Sequence, residues 1–106
     1  DAQTTLEAKE ELVNLLYKAP ELSAAQSTLT KAGSALCACD GALCRLISNG
    51  QMDRARDMGI NVLPLARKAA ELRLQLRRGQ ARDVLSEAEA LSLQTLTLLD
   101  QIRAIR

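Results

Sequence analysis

Apolar and small residues recur along the chain at the three- and four-residue spacing of helices that pack lengthwise against each other. In the first half, a leucine occupies every seventh position, and a smaller residue or another leucine stands three places further on. The two sets are Leu22, Leu29, Leu36 and Leu43, and Ala25, Ala32, Cys39 and Leu46. Alternation of Leu with Ala or Cys favours close approach of neighbouring helix backbones. The pattern predicts an elongated all-α bundle.

Two local signals divide the first half into a short helix and a long one. Thr4 and Glu7 form a capping-box pattern, which is typical of a helix start, so a short helix is expected to run to about Lys18. Pro20 would end it and occupy the first turn of a second helix, which reaches Ile47. The short helix would carry the apolar residues Leu6, Leu12, Val13, Leu16 and Tyr17.

Two glycines lie inside the predicted second helix. Gly33 and Gly41 each cost about 1 kcal/mol relative to Ala in a helix interior, and Asp40-Gly41 is also a turn signal. Because the heptad pattern keeps its register across both glycines, one helix is favoured, with a break near Gly41 as the alternative.

The second half contains two further predicted helices. Ser48-Asn49-Gly50 is a stop signal, and a third helix is expected from about Gln51 to Arg77, with a kink at Pro64. Gly79 ends it, and a fourth helix is expected over residues 81–105. Their core positions are Ala55, Met58, Val62, Leu65, Ala69, Leu72 and Leu76, and Val84, Ala88, Leu91, Thr95, Leu98, Ile102 and Ile105.

Helices joined by such short turns lie antiparallel to their chain neighbours. The predicted fold is therefore all-α, an antiparallel bundle of three long helices plus a short N-terminal helix, four in all. We expect a single domain over residues 1–106. In architecture alone this plan is similar to that of small adaptor bundles and helical secretion chaperones, a likeness that implies no role for any residue.

The composition excludes several classes of function. The chain has no His, Trp or Phe, and Tyr17 is its only aromatic residue. The commonest general base and metal ligand is therefore missing, as are the aromatic surfaces on which single-stranded nucleic acids stack. No glycine-rich phosphate loop or nucleophile–base pair is present. We expect neither an enzyme nor a bound cofactor.

Charge is segregated along the chain, although the net charge is only +1. Residues 1–21 carry five acids and two bases, residues 54–82 eight bases and two acids, and residues 83–106 four acids and two bases. Acidic and basic helices lying side by side would explain this pattern, and so would a basic surface for an acidic partner.

Nucleic-acid or other polyanion binding through the 54–82 helix is the alternative function, since bases can neutralise phosphates. These bases radiate around the helix, and no recognition motif accompanies them. They are Arg54, Arg56, Arg67, Lys68, Arg73, Arg77, Arg78 and Arg82.

The outer face of the third helix is the best candidate for partner binding. Three arginines spaced by eleven residues line up along about 33 Å of helix, and large apolar residues stand between them, where a solvated face does not need them. The predicted partner-binding set is Arg56, Ile60, Leu63, Arg67, Leu74 and Arg78. The alternative is that the short first helix covers Ile60 and Leu63.

The fourth helix carries more leucine than its core side needs. Leu85, Leu93, Leu96 and Leu99 lie away from its core positions, and the first three join the predicted partner-binding set. A helix that is apolar on most of its circumference is either central in its domain or covered by a partner. Both alternatives stay open.

Three cysteines cluster in the second predicted helix. Structural zinc sites need four ligands, usually as two close pairs. Here the thiols of Cys37, Cys39 and Cys44 have only Asp40 as a further ligand nearby, no His is present, and the spacing differs from that of paired ligands. A bridge within one helix would distort it. Small packing residues are the favoured interpretation, a redox or intermolecular role for Cys37 or Cys44 is the alternative, and no metal is expected. Unbridged thiols indicate a reducing compartment.

The sequence therefore predicts a non-enzymatic protein–protein interaction module, an adaptor or chaperone-like bundle. Its partner would be an amphipathic or acidic helix of another protein or of a second copy of the chain. No apolar run reaches the roughly 18–20 residues that a membrane-spanning helix needs. We expect a cytoplasmic location, and because the chain begins at Asp1, a signal removed from its N-terminal side stays an alternative.

Overall fold

The computed structural model describes residues 2–79 and 84–106, apart from the side chains of residues 2–4, 7, 10–19 and 21. The described chain forms three helices: α1 (Ala2–Ser48), α2 (Met52–Arg77) and α3 (Val84–Arg103). A three-residue turn makes α1 and α2 antiparallel. α3 runs parallel to α1, because Cys39 contacts Thr95 and, further along, the Nε2 of Gln51 donates to the backbone carbonyl of Arg106 at 2.8 Å. The all-α class is confirmed.

The prediction of four helices is wrong, because the predicted first and second helices are one. Pro20 lies inside α1, where a proline removes one helix hydrogen bond and costs about 3 kcal/mol relative to Ala. Its neighbours Ala19, Glu21 and Leu22 are strong helix formers, and helix propagation is cooperative. The residues on both sides therefore outweigh the local stop signal.

Three other predicted boundaries have different outcomes. α1 begins at Ala2, before the predicted cap, and the side chains of Thr4 and Glu7 lie outside the described residues. α1 also passes Gly41 without interruption, so the alternative break there is wrong. The predicted start of the last helix at Ala81 lies outside the described residues.

The two predicted glycine stops are confirmed. Gly50 has φ 79° and Gly79 has φ 74°, a left-handed conformation that glycine adopts without steric cost. The backbone N–H of Gln51 donates to the carbonyl of Leu46 at 2.8 Å, and that of Gly50 donates to the carbonyl of Ile47 at 3.0 Å. This pair of bonds is the Schellman pattern that closes a helix at a glycine.

The core runs along the bundle as two adjoining groups of buried side chains. The first core group is Ala25, Leu29, Ala32, Ala69, Leu72, Val84, Ala88 and Leu91. The second core group is Cys39, Ala42, Leu46, Ala55, Val62, Leu98, Leu99 and Ile102. Leu36 and Leu65 pack against both groups. The core positions predicted for all three helices are therefore confirmed, since they supply nearly every member.

Small residues on α1 allow close contact between helices. Ala25, Ala32 and Cys39 are fully buried, so the backbone of α1 lies directly against its neighbours at these positions. Gly33 allows the same close contact with α2. A Cβ at position 33 would lie 2.6 Å from Nη2 of Arg73, too close for two unbonded atoms. The Arg73 side chain thus crosses the surface of α1 where that helix has no side chain.

α1 is much longer than the helices packed against it. Its 47 residues span about 70 Å at 1.5 Å per residue, whereas the 26 residues of α2 span about 39 Å. The molecule measures 68 × 19 × 16 Å. The first residue of α1 described as buried is Ala25, and both Leu6 and Pro20 are exposed. Residues 2–21, called the α1 arm below, therefore extend beyond the three-helix part.

Within the described part of the chain, no helix combines the length and the apolar character that crossing a bilayer requires.

Candidate functional site

The outer side of α2 exposes the large apolar residues that the periodicity singled out. The exposed fractions are 65% for Ile60, 53% for Leu63 and 48% for Leu74. Helical periodicity places them opposite the buried side of α2, which holds Val62 and Leu72. With the intervening arginines they form the α2 outer stripe, defined as Arg56, Ile60, Leu63, Arg67, Leu74 and Arg78.

The arginines of the α2 outer stripe are exposed, and little within the chain engages them. Arg56 lies 4.0 Å from the carboxylate of Asp53, with both side chains well exposed, so this pair contributes little. Arg67 and Arg78 form no ion pair with any residue that the structure describes. A guanidinium in this state offers paired donors to a carboxylate from outside the chain.

The alternative in which the N-terminal helix covers Ile60 and Leu63 is wrong. That segment is not a separate helix but the α1 arm, which continues the axis of α1 beyond the bundle. Both side chains remain more than half exposed. No described element of this chain therefore covers the α2 outer stripe.

The surplus leucines of α3 divide into two pairs. Leu99 is buried in the second core group, and Leu85 packs against the first. Leu93 is 68% exposed and Leu96 is 48% exposed. Internal burial thus accounts for one pair and leaves the other exposed, and a partner over the exposed pair stays a prediction.

A groove follows the line where α1 and α3 lie side by side, and sequence reasoning did not find it. It contains cavities of about 370 Å³ and 300 Å³. Residues seven apart lie on the same side of a helix. This spacing relates Lys31 to Ala38 and Arg45 on α1, and Leu96 to Arg103 on α3, so both cavities open on the same side of the bundle. The α1–α3 groove is lined by Thr28, Lys31, Glu89, Ser92, Leu93 and Leu96, and by Ala38, Gly41, Ala42, Arg45 and Arg103.

The α1–α3 groove combines an apolar rim with a small-residue floor and a basic lining. Ala38, Gly41 and Ala42 form a floor without long side chains, on which another helix can lie closely. Three bases and one acid line it, namely Lys31, Arg45, Arg103 and Glu89. The seven-residue spacing of Lys31, Ala38 and Arg45 is visible in the sequence. The sequence does not show which helices are neighbours in the bundle, so it could not predict a groove between α1 and α3.

The bases of α2 do not form one continuous face. Nζ of Lys68 lies 3.4 Å from Oε1 of Glu87 on α3 and 3.9 Å from Oε2 of Glu71, so one basic and one acidic helix do complement each other here. Arg73 lies against α1 at Gly33, while Arg67 is exposed. Arg82 lies outside the described residues.

The three cysteines are unbridged and differ in environment. Cys39 is fully buried and its Sγ contacts the carbonyl of Thr95 at 3.8 Å, whereas Cys37 and Cys44 are exposed. Burial raises the pKa of the Cys39 thiol; the charge of Asp40 adds to the rise, and Arg103 opposes it. Among the described residues, no group of three His, Cys, Asp or Glu side chains is placed to hold a metal ion.

We expect two of the three thiols to react with an alkylating reagent in the native protein. Cys37 and Cys44 are exposed, while Cys39 is buried and its raised pKa keeps it protonated. This shift stabilises the fold fully below the free-thiol pKa of about 8.5, and the contribution is lost as pH rises through the folded pKa. Mass spectrometry of protein alkylated at pH 7, with and without denaturant, counts the labels. Three labels on the native protein would contradict the burial of Cys39.

Comparison with protein-family models, curated proteins and solved structures gives no match to this chain.

Proposed function

We propose that this chain is a non-enzymatic interaction module whose α2 outer stripe receives an acidic, amphipathic helix of another protein. The observation that carries the proposal is the exposure of Ile60, Leu63 and Leu74 between three arginines on one side of one helix. Large apolar side chains and arginine are the residue types that dominate the centres of protein interfaces.

The spacing of the stripe specifies the partner's pattern. Ile60, Leu63 and Leu74 offer anchors to a helix with apolar residues every three or four positions. The guanidinium groups of Arg56, Arg67 and Arg78 would pair with carboxylates beside those anchors. From Arg56 to Arg78 the stripe is about 33 Å long, which corresponds to about six turns of a bound helix.

Charge reversal at the centre of the stripe tests the proposal. The probe is a fluorescent synthetic helix of about 22 residues, with leucines at three- and four-residue spacing and glutamates beside them. Arg67→Glu is expected to weaken binding about tenfold or more, because it replaces attraction by repulsion. Thermal stability should stay within about 0.5 kcal/mol of the wild type, as is usual for exposed sites.

Arg54→Glu is the matched control, since Arg54 is an exposed base of α2 outside the stripe. It changes the net charge by the same amount and should leave most of the affinity intact. If both variants weakened binding equally, the loss of affinity would come from the change in net charge, and a defined binding site would be contradicted. Unfolding caused by Arg67→Glu would place Arg67 in the fold and not in a binding surface.

Polyanion binding by α2 is the second candidate function, supported by the exposure of most of its bases. The exposed set is Arg54, Arg56, Arg67, Arg73, Arg77 and Arg78. A random DNA duplex titrated at increasing salt separates the candidates, because phosphate neutralisation gives a steep linear fall of log K with log salt. Absence of binding at low salt would remove this candidate.

The proposed location is the cytoplasm. Two exposed cysteines, Cys37 and Cys44, stay unbridged, and such thiols persist in a reducing compartment. Fractionation of cells that express the tagged full protein checks this expectation.

A further inference from the structure

We propose that the α1–α3 groove binds the α1 arm of a second copy of this chain. Two chains would then form a symmetric antiparallel dimer, in which each arm completes a four-helix bundle with the three helices of its partner. The groove and the α2 outer stripe are different surfaces, so the dimer and the proposed helix docking can be tested independently of each other.

The α1 arm has the character of a helix that packs against something. A single helix of this length is marginal in water, and tertiary packing normally stabilises it. Leu6 on the arm is 59% exposed. In the sequence, Leu6, Val13, Tyr17 and Pro20 are separated by seven, four and three residues, the spacing of one side of a helix. An apolar side of this kind calls for a covering surface.

The lengths of the arm and the groove correspond. The arm comprises residues 2–21, about 30 Å of helix at 1.5 Å per residue. On α1 the groove extends from Thr28 to Arg45, about 26 Å by the same measure. One arm therefore occupies the whole groove without leaving a long unpaired end.

Two-fold symmetry supports this particular pairing. In a symmetric dimer the same surface of each chain forms the contact, and here the arm and one wall of the groove belong to the same helix. Lys31, Ala38 and Arg45 line the groove at seven-residue intervals. The same interval continues towards the N-terminus to Ala24 and then to Tyr17 on the arm. One side of α1 thus carries both the groove wall and the arm's apolar residues, as an antiparallel α1–α1 pair requires.

Charge also favours the arm as the occupant. The arm carries four acids and two bases, a net charge of −2. The groove lining has three bases, Lys31, Arg45 and Arg103, against the single acid Glu89. The small-residue floor admits the helix closely, and the exposed Leu93 and Leu96 then meet apolar side chains of the arm.

Solution mass is the first test, measured by light scattering on the full chain. The wild type is expected at about twice its 11.5 kDa. Leu96→Asp is expected to raise the dissociation constant about 100-fold or more, because each dimer contains the contact twice. The matched control is Leu63→Asp on the α2 outer stripe, since Leu63 and Leu96 are 53% and 48% exposed. The control variant should remain dimeric.

Crosslinking of the wild type tests the arrangement without any substitution. Lys9 and Lys31 lie on the same helix, 22 residues or about 33 Å apart, beyond the reach of a crosslinker with a short spacer. When each arm fills the groove of the other chain, residue 2 lies opposite Arg45 and Lys9 opposite Ala38. Lys31 is seven residues from Ala38, about 10 Å along the helix, so Lys9 of one chain comes within reach of Lys31 of the other. A mixture of isotopically labelled and unlabelled chains should therefore give a mixed-label Lys9–Lys31 crosslink.

Three outcomes would overturn the inference: a monomeric wild type at high micromolar concentration, a Leu96→Asp variant that dimerises as well as the wild type, or a dimer that lacks the Lys9–Lys31 crosslink. A dimer broken by Leu63→Asp and not by Leu96→Asp would place the second copy on the α2 outer stripe instead. Circular dichroism of both variants confirms that any change in mass comes from a folded chain.

Discussion

Leu72→Ala is expected to lower the free energy of unfolding by about 2–5 kcal/mol, the range found when a buried leucine is truncated. Leu72 is fully buried in the first core group. A domain of this length has a total stability of about 5–15 kcal/mol. The substitution therefore removes a large fraction of it and lowers the midpoint of thermal unfolding by about 10–20 °C.

The neighbours of Leu72 place the expected loss in the upper half of that range. Half of the first core group is alanine, namely Ala25, Ala32, Ala69 and Ala88. Alanine has no rotatable side chain that can reach into the vacated space, so the cavity persists, and the cost rises with residual cavity volume. Such a core tolerates truncation poorly.

Leu74→Ala provides the matched comparison, two residues further along α2. Leu74 is 48% exposed on the α2 outer stripe, so its truncation should change stability by no more than about 0.5 kcal/mol. Urea unfolding of the three proteins, followed by circular dichroism, gives the differences directly. Similar losses for both variants would mean that the buried and outer sides of α2 are wrongly assigned.

The helix-forming part of the fold was readable from residue spacing, because side chains three and four apart share a face whatever the tertiary arrangement. This held for α2 and α3, where most core positions between Ala55 and Ile102 are buried as predicted and Met58, Leu65 and Leu76 are partly buried. The turn at Gly50 was equally readable, since a left-handed glycine after an asparagine depends on local backbone sterics alone.

Pro20 shows where such local rules fail. The same residue is favourable in the first turn of a helix and unfavourable inside one. Helix formers such as Ala19, Glu21 and Leu22 beside it allow a continuous helix but also suit a helix that begins there. The outcome depends on whether the free energy gained by a continuous helix exceeds the cost of a proline in its interior, about 3 kcal/mol. Cooperative helix formation over the 47 residues of α1 decides that balance, and a short window of sequence does not contain it.

The surface was predictable one helix at a time and not between helices. Ile60, Leu63 and Leu74 lie outside the core positions of α2, and all three are exposed. Leu99 was counted as surplus by the same logic, yet it is buried, because α3 contacts both α1 and α2 and so buries a wide arc. The α1–α3 groove depends on which pair of helices lies open to solvent, which periodicity does not specify.

Pro20→Ala is expected to stabilise the helix around position 20 by up to about 3 kcal/mol, the penalty of proline in a helix interior. The replacement restores the missing N–H, removes the clash of the ring with the preceding turn, and occurs at an exposed position where no core packing opposes it. Slower amide hydrogen exchange should record the gain, on the order of 100-fold for the amides next to position 20.

Pro64→Ala serves as the internal reference, because Pro64 is also exposed and also lies inside a helix. Both substitutions should slow exchange in their own helix, and Pro64→Ala should also raise the midpoint of global unfolding, since α2 carries part of both core groups. If Pro20 instead began a second helix, alanine there would give no gain, because proline is favourable in a first turn. A gain at Pro64 without one at Pro20 would thus restore four helices and remove the continuous arm on which the dimer depends.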